Sequence, residues 1–120
     1  MRGWENSFRS KLAMYLAVKT ACDAKPSVWW RSEAFRNAFS DFCGHIENLV
    51  RLQPAIGIFH SVSHGIAEEM AAADWILTTE MDELIELFEP VDVQFVDDYT
   101  AARSMELPDE DFAARLQPTA

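Results

Sequence analysis

Apolar residues recur at steps of three and four along most of this chain. Trp4, Phe8, Leu12, Tyr15, Val18 and Cys22 make one such stripe, which predicts a first helix over residues 4–24, ended by Pro26. Val28, Phe35, Phe39, Phe42, Ile46 and Leu49 make a second. They predict a long helix reaching Leu52, capped by Ser27 or restarted at Ser32, and weakened at Gly44 by about 1 kcal/mol relative to alanine. Trp29 and Trp30 fall off that stripe in opposite directions, so at least one should meet a different surface.

The stretch from Ala55 to Leu77 follows Pro54, a residue suited to a helix start. Phe59, Val62, Ile66, Met70, Ala73 and Leu77 share one face of it, while His60, His64, Glu68 and Trp75 occupy the other. Thr78-Thr79 reads as the cap of a short acidic helix, Glu80–Glu89. Asp82 stands at its capping-box position, and Met81, Leu84, Ile85 and Phe88 point inward. Pro90 stops it. Val91, Val93 and Phe95 alternate with Asp92 and Gln94 and read as an extended crossing segment. Asp97 or Asp98 then caps a helix through Leu107, before Pro108, and Phe112 with Leu116 forms a last turn or a loose tail. Short connections favour antiparallel neighbours. The expected fold is all-α: a single domain over residues 1–120, a compact antiparallel bundle of four main helices with one or two short C-terminal helices.

Composition agrees. A 120-residue chain with 49% hydrophobic residues buries a core unaided, and four glycines with five prolines supply too few tight turns for an all-β fold. Cys22 and Cys43 make no disulfide framework and fit buried thiols in a reducing compartment, hence a cytoplasmic expectation. The apolar run Leu12–Val18 follows Arg9 and Lys11 as a leader would, yet Lys19 closes it without a small-residue cleavage site. No apolar stretch approaches the roughly 20 residues of a membrane span.

Charge changes the picture most. Residues 1–79 hold eight acidic and eight basic side chains and are neutral, while residues 80–120 hold twelve acidic residues against Arg103 and Arg115 and carry the whole net charge of −10. Residues 1–36 lean basic, seven to three. Twelve carboxylates repel phosphates, so direct nucleic-acid binding is not expected. The acidic third could simply solubilise, could fold against the basic first helix, or could recognise a basic partner.

Enzymatic and metal chemistry have weaker signals. His60, His64 and Glu68 sit at i, i+4, i+8, and Cys43 and His45 could complete a tetrahedral set. The chain lacks His-Glu-x-x-His and any Glu-x-x-His pair, so Glu68 beside His64 reads as an ordinary helical pair. Cys43 and His45 point about 200° apart on a helix and cannot form a local dyad. Neither a phosphate-cradling glycine loop nor a dinucleotide fingerprint is present. No cofactor, metal or catalytic residue is expected.

These features predict a non-enzymatic inhibitor or adaptor that binds a basic partner surface stoichiometrically, for instance on a nucleic-acid-handling complex. The contact set is Glu80, Asp82, Glu83, Glu86, Glu89, Asp97 and Asp98 with Trp75, and Asp109, Glu110 and Asp111 extend the field. Phage-encoded inhibitors, anti-CRISPR proteins among them, are often compact and acidic, as are immunity proteins that neutralise toxins; this is an analogy of class without a shared motif. The alternatives are an immunity or antitoxin protein, a metal-binding bundle using His60 and His64, and a homodimeric structural subunit. The protein is expected to be a monomer or homodimer without membrane contact.

Overall fold

A computed structural model describes the backbone of residues 2–55 and 60–105, and the side chains of residues 8–55 and 64–105. The first stripe forms helix α1 (Arg2–Asp23). The second is divided. A single turn, α2 (Pro26–Trp29), precedes α3 (Glu33–Leu52), whose cap is Ser32: its side-chain oxygen accepts from the Phe35 N–H at 3.1 Å. Ser27 therefore caps nothing, because α2 already begins at Pro26. A 3₁₀ turn (Gln53–Ala55) follows, and α4 (His60–Ile76) forms the central helix.

The expected break at Thr78-Thr79 does not occur. The helix runs on through a π-helical turn (Leu77–Met81) into α5 (Asp82–Ile85) and a 3₁₀ turn (Glu86–Phe88). The hydrophobic pattern accounts for this. Ala73, Leu77, Met81 and Ile85 are all buried at consecutive four-residue steps, and each such step overshoots an α-helical turn by about 40°. A widened turn takes up the excess. Both threonines serve it by donating backward, Thr78 Oγ1 to the Asp74 carbonyl at 2.9 Å and Thr79 Oγ1 to the Trp75 carbonyl at 2.5 Å.

The strand-like reading of Val91–Phe95 is also corrected. Asp92, not Asp97 or Asp98, caps the last described helix, α6 (Val93–Ser104), by accepting from the Phe95 N–H at 3.1 Å. Val91 and Val93 are exposed, while Phe95, Tyr99 and Ala102 turn inward at helical spacing. The described residues contain no strand, and the protein is an all-α helical bundle. None of its described helices is long and apolar enough to cross a membrane. The tail positions Leu107, Phe112 and Leu116 lie outside the described residues, as do the side chains of Trp4, Phe59 and Val62.

Helix α1 packs on α6, and α3 on α4. An aromatic cluster joins the start of α3 to the turn that follows α5: Phe35 meets Phe88 edge-on at 5.3 Å, and Trp29 meets Phe39 at 5.1 Å between ring centroids. Trp29 is the inward member of the tryptophan pair, its indole N–H donating to the Cys22 carbonyl at 2.9 Å. Trp30 faces solvent. The run Leu12–Val18 lies within α1 and supplies core residues Leu12, Met14, Tyr15 and Val18.

Candidate partner-binding cleft

Helix α3 turns its apolar stripe into the core, and the flank beside that stripe carries Asp41, His45 and Asn48 at steps of four and three. Facing it across the helix pair are Ala72, Trp75 and Ile76 of α4 and Glu80 of the π turn. The space between is an open cleft of about 720 Å³. Two small residues, Gly44 and Ala72, leave it unfilled; a Cβ at Gly44 would meet nothing within 4 Å.

One wall is pinned by a cross-helix bond. His45 Nδ1 lies 2.6 Å from Glu69 Oε1, and since an ionised carboxylate only accepts, Nδ1 is the donor. Asp41, Glu47 and Glu80 make the cleft negative, and no lysine or arginine lines it. Trp75 stands at its edge 60% exposed. An indole left in water beside a negative cleft suits an apolar or cationic group, through ring contact and cation–π attraction.

Of the residues expected to bind a partner, Trp75 and Glu80 share this cleft. Glu83, Glu86 and Glu89 are exposed on α5 and the turn after it, interspersed with exposed Leu87 and Val91. Asp97 and Asp98 are exposed on α6, Asp98 accepting from Gln94 Nε2 at 2.8 Å. Asp82 is turned the other way. Its carboxylate accepts from Tyr99 OH at 2.6 Å and from Arg103, joining α5 to α6 through a partly buried contact. Burial and that hydrogen bond hold the Tyr99 phenol protonated far above its ordinary range. Asp109, Glu110 and Asp111 lie outside the described residues.

Some acidic charge is neutralised internally. Lys25 of the basic segment meets Asp92 at 2.8 Å, and Lys11 meets Asp74 at 2.8 Å, where Tyr15 OH also donates at 2.7 Å. Among the described residues Glu80, Glu83, Glu86, Glu89 and Asp97 have no ion-pair partner within the chain, so most of the field faces solvent.

Of the histidine constellation, His45, His64, Glu68 and Cys43 fall among the described side chains. His64 is 79% exposed and lies 3.4 Å from Glu68 as an ordinary i, i+4 pair, while the His60 side chain lies outside the described residues. His45 is engaged by Glu69, and burial pushes the Cys43 thiol up to about 11, leaving it protonated at neutral pH and a poor nucleophile or ligand. The described residues hold no cluster of three metal-ligating side chains. Sequence reasoning missed Asp41 and Glu47; the 41–45–48 spacing signalled a polar helix face, but only the position of α4 makes that face a cleft. Comparison with protein-family models, curated proteins and solved structures finds no match to this chain.

Proposed function

We propose that this protein acts by stoichiometric, non-enzymatic binding of a basic protein surface, with the α3–α4 cleft and Trp75 as the centre of contact. The observation that carries this is an exposed indole at the mouth of a cleft lined by Asp41, Glu47 and Glu80 and by no lysine or arginine. Tryptophan is enriched at the energetic centres of interfaces, and lysine and arginine side chains complement both the ring and the carboxylates. The acidic residues beyond the cleft speed encounter with a positive partner without needing contact. Surfaces that hold nucleic-acid phosphates carry such charge, so an inhibitor or adaptor of a nucleic-acid-handling complex is the class this chemistry fits.

The test is affinity capture from native cytoplasmic lysate with wild-type protein and with Trp75→Ala and Glu80→Lys as matched baits. A basic protein retained in one-to-one ratio by wild type and lost from both variants is the expected result. Equal retention by all three baits would remove the cleft from the interaction.

A further inference from the structure

At the far end of the basic segment, exposed tryptophan and arginine occur together. Trp30 follows α2 and is 60% exposed, although its neighbour Trp29 is buried beneath it with ring centroids 6.1 Å apart. The Arg36 guanidinium lies over the Trp30 ring at 5.3 Å from its centroid, and Nη1 donates to the Trp30 carbonyl at 2.5 Å. Arg31 is exposed and has no ion-pair partner among the described residues. Pro26, Ser27, Trp30 and Arg31 border an adjoining depression of about 330 Å³.

Two contacts order the backbone of this corner. Trp29 is tied to α1 by its bond to the Cys22 carbonyl, and Ser32 caps α3, so Trp30 and the stacked Arg36 are carried on backbone ordered before any ligand arrives. Arg36 is held by stacking and one hydrogen bond, which lowers the ordering cost of using its remaining donors. Tryptophan and arginine are the residue types most enriched at interface hot spots.

We propose that this corner is a second binding site, independent of the α3–α4 cleft, that takes an acidic protein segment: a carboxylate on Arg31 and Arg36 with an apolar neighbour against Trp30. Charge complementarity selects that occupant, because guanidinium groups grip carboxylates through paired N–H donors. A nucleic acid fits less well. Its regular row of phosphates would meet exposed Glu33, two residues from Arg31, with only two arginines to offset it, whereas a single carboxylate needs the arginines alone. With a basic partner in the cleft and an acidic segment at the corner, the protein would bridge two partners of opposite charge.

The four tryptophans give resolvable indole N–H resonances for a direct test by NMR. A short peptide alternating glutamate and leucine is titrated into the ¹⁵N-labelled full chain, beside its lysine counterpart and a short single-stranded DNA. The glutamate peptide should move the Trp30 indole resonance and leave that of Trp75 in place. Arg31→Glu, at an exposed position, should weaken this by about tenfold while the remaining spectrum reports an intact fold. Arg36→Lys, which keeps charge but loses the planar donor set, should also weaken it. No movement of the Trp30 resonance at millimolar peptide, equal movement by the lysine peptide, or movement by DNA in preference to the glutamate peptide would each overturn the assignment. Because the cleft is read out at Trp75, failure at this corner and failure of the cleft are separable.

Discussion

Arg103 grips Asp82 with two arms of its guanidinium: Nε donates to Oδ1 at 2.9 Å and Nη2 to Oδ2 at 2.8 Å. The arginine side chain is only 16% exposed and the aspartate 33%, so the pair clamps α5 to α6 in a partly dry setting. Removing one partner takes this two-armed contact away from the other charge, which stays partly buried. Arg103→Ala and Asp82→Asn should each cost about 1.5–3 kcal/mol, less than additively when combined. Urea unfolding of the two single variants and the double variant measures this. A double variant as destabilised as the sum of the singles would show that the clamp is not a coupled unit.

The aromatic cluster predicts a larger loss. Phe35 is fully buried and touches Trp29, Phe39, Phe88 and Phe95, so its ring ties the start of α3 to both later helical segments. Phe35→Ala should cost about 3–5 kcal/mol. Thermal unfolding followed by circular dichroism tests it; a loss below about 0.5 kcal/mol, as for a surface change, would place that ring outside the core.

Gly44 makes the opposite prediction. It sits inside α3, where glycine costs about 0.8–1 kcal/mol relative to alanine, and a Cβ there enters open cleft. Gly44→Ala should therefore raise stability by up to about 1 kcal/mol, read from the urea midpoint at unchanged slope. Destabilisation would mean that the space beside Gly44 is not open.

Acid should weaken the junction before α6. Hydrogen bonding to Lys25 and to the Phe95 N–H lowers the Asp92 carboxyl below its ordinary range. A lowered folded value stabilises above the unfolded pKa, near about 4, and that contribution disappears as pH falls through the folded value. Asp92→Asn keeps an acceptor for the Phe95 N–H but has no proton to take up. Below about pH 4 wild type should lose stability more steeply than Asp92→Asn; parallel profiles in urea would contradict this.

The long helices were legible because their stripes are local: Phe8, Leu12, Tyr15 and Val18 lie inward where period 3.6 puts them, and Ser32 is the cap its position suggests. Two local signals misled. Thr78-Thr79 has cap chemistry, but an unbroken apolar series from Ala73 to Ile85 outweighs it, and the hydroxyls bond backward instead. Val91 and Val93 alternate with polar residues by coincidence; Asp92 bonding to Phe95 starts a helix there. Asp82 shows why the acidic set was only partly readable, since its partners Tyr99 and Arg103 lie far along the chain and nothing local marks it as internal. The cleft had no local signature either, because it arises where the polar side of α3 faces Ala72 and Trp75 of α4.

The most direct test of the binding account is a salt series of association and dissociation rates with the captured basic partner, comparing wild type, Trp75→Ala and the double variant Glu47→Lys/Glu80→Lys. All three positions are on the surface, so the fold should be retained. Wild-type association should slow as ionic strength rises toward the point where screening acts within about 8 Å. The charge reversals should slow association and flatten that dependence, whereas Trp75→Ala should mainly hasten dissociation and weaken binding by about thirtyfold, as for an interface hot spot worth about 2 kcal/mol. Association indifferent to salt, with Trp75→Ala binding as tightly as wild type, would contradict the account.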